Sequence, residues 1–150
     1  MEITLLKKQR WRLIPQVNNL LIRFMTKAKG ITESLLVIMD TTGRIFGAYI
    51  PTDLEFKHHF FGSGESFLFK LDADQSSAVT FGSTMENLFF VYCAADGLGL
   101  GSDPHYGLFI DPELTRGSSH ACKTYSNDVL TAVSHFAIKR IELWSIRDQY

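Results

Sequence analysis

The chain has 150 residues, 45% of them apolar and 21% charged, with a net charge of −1. That length suits one domain with a single core, and that balance excludes a disordered chain. Near-neutral charge gives no footing for nucleic-acid binding, and no stretch approaches the ~20 consecutive apolar residues of a membrane-crossing helix.

The front of the chain is basic. Lys7, Lys8, Arg10, Arg12, Arg23, Lys27 and Lys29 outweigh Glu2 and Glu33, so the rest is acidic. Such a front end reads as a solvated basic helix face or as a contact for an acidic partner or membrane surface. No apolar stretch with a small-residue cleavage site follows, so a secretory signal is not expected.

Trp11–Ile14 reads as a short strand or a tether, ended by Pro15. Val17, Leu20, Leu21, Phe24 and Met25 recur at helical spacing, and Gly30 follows Lys27 and Lys29, so a helix is predicted from Val17 to Lys29. Leu35–Met39 and Arg44–Ile50 flank the turn residues Asp40-Thr41-Thr42-Gly43, the pattern of a β-hairpin closed by Pro51. Residues 52–61 are a connector carrying His58 and His59.

Strands are predicted at Glu65–Leu71, Val79–Phe81 and Leu88–Cys93, the last apolar on both faces and so buried on both. Residues 94–103 read as a glycine-rich turn, Tyr106–Ile110 as a strand stopped by Asp111-Pro112, and 113–128 as a loop. A polar link around Leu130–His135 leads to a last strand, Phe136–Ile146. Short strands punctuated by Gly and Pro point to a mainly β fold (α+β), a two-sheet antiparallel β-sandwich with short peripheral helices.

Each chemical motif fails its context test. Gly97-x-Gly99-x-Gly101 has no helix behind it to face a phosphate, and Asp103 would repel one. Gly62-Ser63-Gly64-Glu65-Ser66 lacks the order of a nucleophile elbow. Glu65 remains a candidate general base, although loop carboxylates commonly bond nearby backbone. His120 and Cys122, two residues apart, would share a face if extended. A zinc site needs two more ligands, and His105 and Cys93 have no recognised spacing, so no metal and no cofactor are expected. Cys122 would be reactive only in an exposed, electropositive setting. With no secretory feature, Cys93 and Cys122 are expected as reduced thiols in a cytosolic or nuclear setting.

Five ordered segments resemble the TLDc domain family. Ser34–Tyr49 is similar to its first hairpin, and Phe61-Gly-Ser-Gly-Glu-Ser-Phe-Leu-Phe69 to its G-x-G-E-[ST]-F-L-F segment. Gly99 and Gly101 followed by His105-Tyr-Gly-Leu-Phe-Ile-Asp111 resemble its glycine-rich loop and G-L-W-[IL]-D strand. Gly117–Asn127 is similar to G-x-S-x-x-C-x-T-[FY]-x-N, and Ile141-Glu-Leu-Trp144 to L-E-V-W. The matched motif positions are Gly62, Gly64, Glu65, Gly99, Gly101, Gly107, Asp111, Gly117, Ser119, Cys122, Asn127 and Trp144.

The resemblance implies two packed antiparallel sheets with a few short helices. It also implies a eukaryotic module linked to oxidative-stress resistance, several members of the family binding the vacuolar proton-pumping ATPase. Location would then be cytoplasmic, peripheral at endolysosomal or vacuolar membranes. Residues 1–16 depart from the pattern as a divergent N-terminal segment, leaving 17–150 as a single domain. The reading is a protein-interaction module. Its alternative is an enzyme or redox-active protein using Glu65, His120 or Cys122.

Overall fold

Apolar residues in the last segment change phase part-way along. Phe136 and Ile138 occupy even positions, Ile141 and Leu143 odd ones, and all four belong to or pack against one core. A regular strand would turn one pair outward, since side chains alternate faces. In the computed structural model, which describes residues 11–13 and 21–146, the register shifts between Ile138 and Arg140. Such a β-bulge inserts one residue and keeps both pairs inward.

In chain order the elements are β1 (Trp11–Leu13), α1 (Leu21–Lys27), β2 (Ser34–Asp40), β3 (Ile45–Ile50), β4 (Phe67–Leu71), β5 (Ala78–Gly82), β6 (Val91–Ala94), β7 (Gly97–Leu100), β8 (Leu108–Ile110), β9 (Arg116–Ser118) and β10 (His135–Ile146). The ladder runs β5-β4-β3-β2-β10-β9-β8-β7-β6, with β1 beside the far end of β10. Its first half and its last half share β10: β9 pairs with residues 135–137, and β2 with residues 138–145. Leu36 and Ile38 of β2, Phe46 and Ala48 of β3, and Leu98, Leu100, Leu108 and Ile110 of β7 and β8 join one cluster. Phe46 meets Phe136 edge to face, ring centroids 4.9 Å apart. Burying one such side chain contributes roughly 1.5–3 kcal/mol, so this cluster holds the two halves together.

The mainly β, antiparallel character expected from the sequence is found. Hydrogen bonding does not divide into two sheets, because β10 carries the ladder through both halves. Among the described residues there is one α-helix rather than several. It begins at Leu21, and the predicted start at Val17–Leu20, like Pro15-Gln16 and most of segment 1–16, lies outside the described residues. Trp11–Leu13 is a strand, paired with β10. Leu21, Phe24 and Met25 of α1 are buried, while Arg23 and Lys27 are exposed.

The β2–β3 hairpin forms as its turn residues require. Asp40 Oδ1 accepts hydrogen bonds from the backbone N–H of Thr42 (3.0 Å) and Arg44 (3.0 Å) and from the Thr42 hydroxyl (2.6 Å).

Three expectations are corrected. The strand placed at Leu88–Cys93 starts only at Val91, and Leu88 and Phe89 are 65% and 40% exposed. Asn87 accepts from the Phe89 N–H, an Asx turn that interrupts the strand. The glycine-rich segment is not a loop. Its turn is Ala95-Asp96, and Gly97–Leu100 is a wholly buried strand. Within the polar run 113–128, Arg116–Ser118 pairs with β8 and β10 as β9. A short strand between two others needs little apolar patterning of its own.

Candidate functional site

The row Tyr92, Gly99, Phe109, Ser118, His135 crosses β6 to β10 at one register, so these residues share a face. It is the face turned away from the core residues Cys93, Leu98, Leu108 and Ile110. At its centre Gly99 presents bare backbone. A Cβ there would lie 2.5 Å from the Tyr106 ring, so only glycine lets that ring lie flat on the sheet. Tyr106 in turn stacks on Phe109, centroids 5.1 Å apart at 30°. Phe60 joins from the connector, 4.9 Å from Phe89, 5.6 Å from Tyr92 and 6.2 Å from Tyr106.

Beside these rings stand three imidazoles. His105 and His120 have centroids 4.8 Å apart, and His135 lies 6.1 Å from His120. A groove of about 310 Å³ runs between the two sets, lined by Phe60, Ser102, Pro104, His105, Tyr106, Ser118 and His120. Burial, then the neighbouring His105 and His135, hold the His120 imidazole below its ordinary pKa. Burial, then Tyr92 and Asp96, push the Tyr106 phenol up. Both groups are therefore neutral near pH 7, and the groove presents aromatic rings with hydrogen-bonding edges.

A loop over residues 83–90 extends this surface and is held firmly. Thr84 donates from its backbone N–H to the Thr124 carbonyl (2.9 Å), and the Thr124 hydroxyl donates to Asn87 Oδ1 (2.7 Å). The loop carries exposed Met85, Leu88 and Phe89.

Of the candidates read from the sequence, the groove takes His120 but neither Glu65 nor Cys122. Glu65 is exposed, its N–H bonded to Ser63 Oγ, and its charge acts on Tyr49, which also donates to Glu33. Cys122 is buried and its thiol donates to Asn127 Oδ1 (3.1 Å), not to an imidazole. Burial pushes that thiol up, the reverse of what a thiolate nucleophile needs. Cys93 is buried against Met25, and burial followed by the charge of Asp96 takes it to about 12. His58 and His59 are exposed. Among the described residues no group of three or more His, Cys, Asp or Glu is arranged to hold a metal ion.

Most other motif positions brace the groove from behind. Ser119 Oγ donates to the Gly107 carbonyl (2.7 Å) and accepts from the Leu130 N–H (2.9 Å). Asn127 Nδ2 donates to the carbonyls of His120 and Asp128, both at 2.9 Å. Gly101, at φ +74°, sits where a Cβ would meet Cys122 Sγ and the Tyr125 ring at 2.7 Å. Gly107 and Gly117 pass close to Leu68 and Phe136, Gly64 to Met85, and Gly62 to Val91. Asp111 accepts from Thr115, and Trp144 is buried on the opposite half of the ladder.

The sequence model of the TLDc domain family matches residues 18–147. The chain belongs to the TLDc domain family. It is 36% identical over 115 residues to oxidation resistance protein 1 of Xenopus tropicalis, covering 76% of this chain and 13% of that protein. The human oxidation resistance protein 1 matches at 35% over the same shares. Nuclear receptor coactivator 7 of Gallus gallus matches at 35% over 112 residues, 74% of this chain and 12% of that protein. This TLDc chain thus corresponds to about an eighth of the length of each of these relatives. Among its described residues no helix is long and apolar enough to cross a membrane.

Proposed function

We propose that this TLDc domain acts by docking a protein partner on its aromatic and imidazole face, in a pathway of oxidative-stress resistance. The carrying observation is the platform itself: Gly99 holds Tyr106 flat, and Phe60, Phe89 and Tyr92 continue the rings across a groove. Aromatic rings in pre-formed positions supply contact area at low entropic cost, which is why they dominate protein interfaces. The names of the relatives support the stress-resistance setting. The partner we infer is a peripheral subunit of the vacuolar proton-pumping ATPase, which would place the domain in the cytoplasm at endolysosomal or vacuolar membranes. The same reading takes the two halves of the ladder as the layers of a sandwich closed over the shared cluster.

The test uses the chain as bait in cell extract, with the pump's peripheral subunits read by immunoblot. Wild type should retain them, and Phe89→Asp, at an exposed position, should retain at least about tenfold less. Absence of those subunits from the wild-type eluate, or equal retention by the variant, rejects the proposal. A second reading, chemistry at Glu65, His120 or Cys122, has only the location of His120 in the groove in its favour.

A further inference from the structure

The two ends of the ladder are finished differently. At one end β6 is covered: Phe61 forms a bridge with Val91, and the Lys57 N–H donates to the Cys93 carbonyl at 2.8 Å. At the other end β5 pairs, among the described residues, only with β4. Its residues, Ala-Val-Thr-Phe-Gly, are exposed except for half-buried Phe81, and Val79 is 44% exposed. Natural edge strands are usually blunted by a charge, a proline or a bulge. Between Gln75 and Met85 there is no charge and no proline, and the register with β4 is unbroken.

The hairpin sets which backbone groups face outward. The Asp72 N–H donates to the Ser77 carbonyl (3.0 Å), so that pair is hydrogen-bonded. Pairs alternate along an antiparallel ladder, so Val79 and Phe81 also direct their backbone groups to β4. Ala78, Thr80 and Gly82 direct theirs away from it. Among the described residues these outward N–H and C=O groups have no protein partner.

We propose that β5 is an assembly edge, pairing antiparallel with β5 of a second copy of this chain about a two-fold axis at Thr80. This goes beyond the docking role and uses the opposite end of the ladder from the aromatic face. In that register Thr80 meets Thr80 and Ala78 meets Gly82, each exchanging its outward hydrogen bonds. Val79 meets Phe81 on the face shared with Leu68 and Lys70, a β-branched and aromatic pair of the kind that stabilises sheets. A second copy presents the same charges to itself, so self-pairing needs a neutral stretch, and this one is neutral. The nearest acids, Asp74 and Glu86, fall outside the paired span. Lys70, whose ammonium lies 5.8 Å from the Phe81 ring centroid, is on β4 and not at the junction. One edge buries a modest area, so the dimer is expected to be reversible and to dissociate on dilution.

Sedimentation velocity on the full chain, from about 1 µM to about 1 mM, tests this. Wild type should shift from monomer to dimer across the series. Thr80→Lys, at an exposed position, should weaken dimerisation at least about tenfold while the far-UV spectrum and the melt of dilute protein stay unchanged. Val79→Lys, on the other face, is the second variant should the first fail to fold. Phe89→Asp should dimerise like wild type, which separates this proposal from the docking role. A wild type that stays monomeric throughout, or a dimer unaffected by both lysine variants, overturns it. So does an edge that takes up only an extended segment of another protein.

Discussion

Gly99 and the Tyr106 ring compete for the same space: a Cβ on the glycine would stand 2.5 Å from the ring. The ring belongs to a half-exposed side chain, so it can lift outward where backbone could not. Gly99→Ala should therefore cost about 1–3 kcal/mol of stability rather than abolish folding. In a Tyr106→Ala background the same substitution should cost much less. A double-mutant cycle by urea denaturation measures the difference, and additive costs would show that the two residues are not coupled.

Asn127 is the main brace under the groove. It accepts from the Cys122 N–H (3.3 Å) and thiol, and it donates to two carbonyls. Asn127→Ala strands buried polar groups on both sides, a loss of about 1–3 kcal/mol. Urea midpoints report it, and a change within error would mean that water replaces the side chain.

Both thiols should be inert in the native protein. Cys93 is raised from 9.0 to about 12 by burial and Asp96, and Cys122 is raised by burial. At pH 8 a thiol reagent should react only as fast as the chain opens, so labelling should accelerate with denaturant. A raised folded pKa gives stability that is complete below the unfolded value and is lost as pH climbs through the folded one. For Cys93 that window opens near 9.0 and closes near 12. Rapid stoichiometric labelling without denaturant would restore the redox reading.

His120 titrates in the opposite sense. Its folded pKa lies below the ordinary 6.5 because of burial, then His105 and His135. The unfolded chain takes up the proton first, so stability is complete above 6.5 and falls as pH drops from there toward the folded value. Denaturation at pH 7.5 and at pH 5.5 should show this loss, reduced in His120→Gln. An equal loss in the variant would assign the effect to other groups.

Glu65 is exposed, and its own N–H donates to Ser63 Oγ in a turn. Glu65→Gln should stay within about 0.5 kcal/mol of wild type and should keep its partner in pull-down. A partner lost on this change alone would move the docking site to the β3–β4 side.

Local pattern determined the element types in this chain. Asp40–Gly43 had to turn, because a carboxylate can satisfy the amides of a tight loop. Leu35–Met39 and Phe136–Ile146 had to be strands, because branched and aromatic residues suit a pleated, buried surface. The ordered motifs within residues 34–146 carried the family, whose sequence model matches residues 18–147. Tertiary structure decided what those motifs do. Gly97–Leu100 reads as a turn in isolation, since glycine-rich sequence is flexible, yet it is a strand because Tyr106 and Phe109 lie where side chains would be. His105, His120 and His135 stand 15 residues apart in sequence and form no local motif, so nothing short of the β8, β9 and β10 register could bring them together. Cys122, adjacent to them in sequence, was turned inward by Asn127 instead. Sequence specifies which backbone shapes are affordable locally, whereas a shared surface depends on strand pairings between residues far apart, and those are settled only when the core closes.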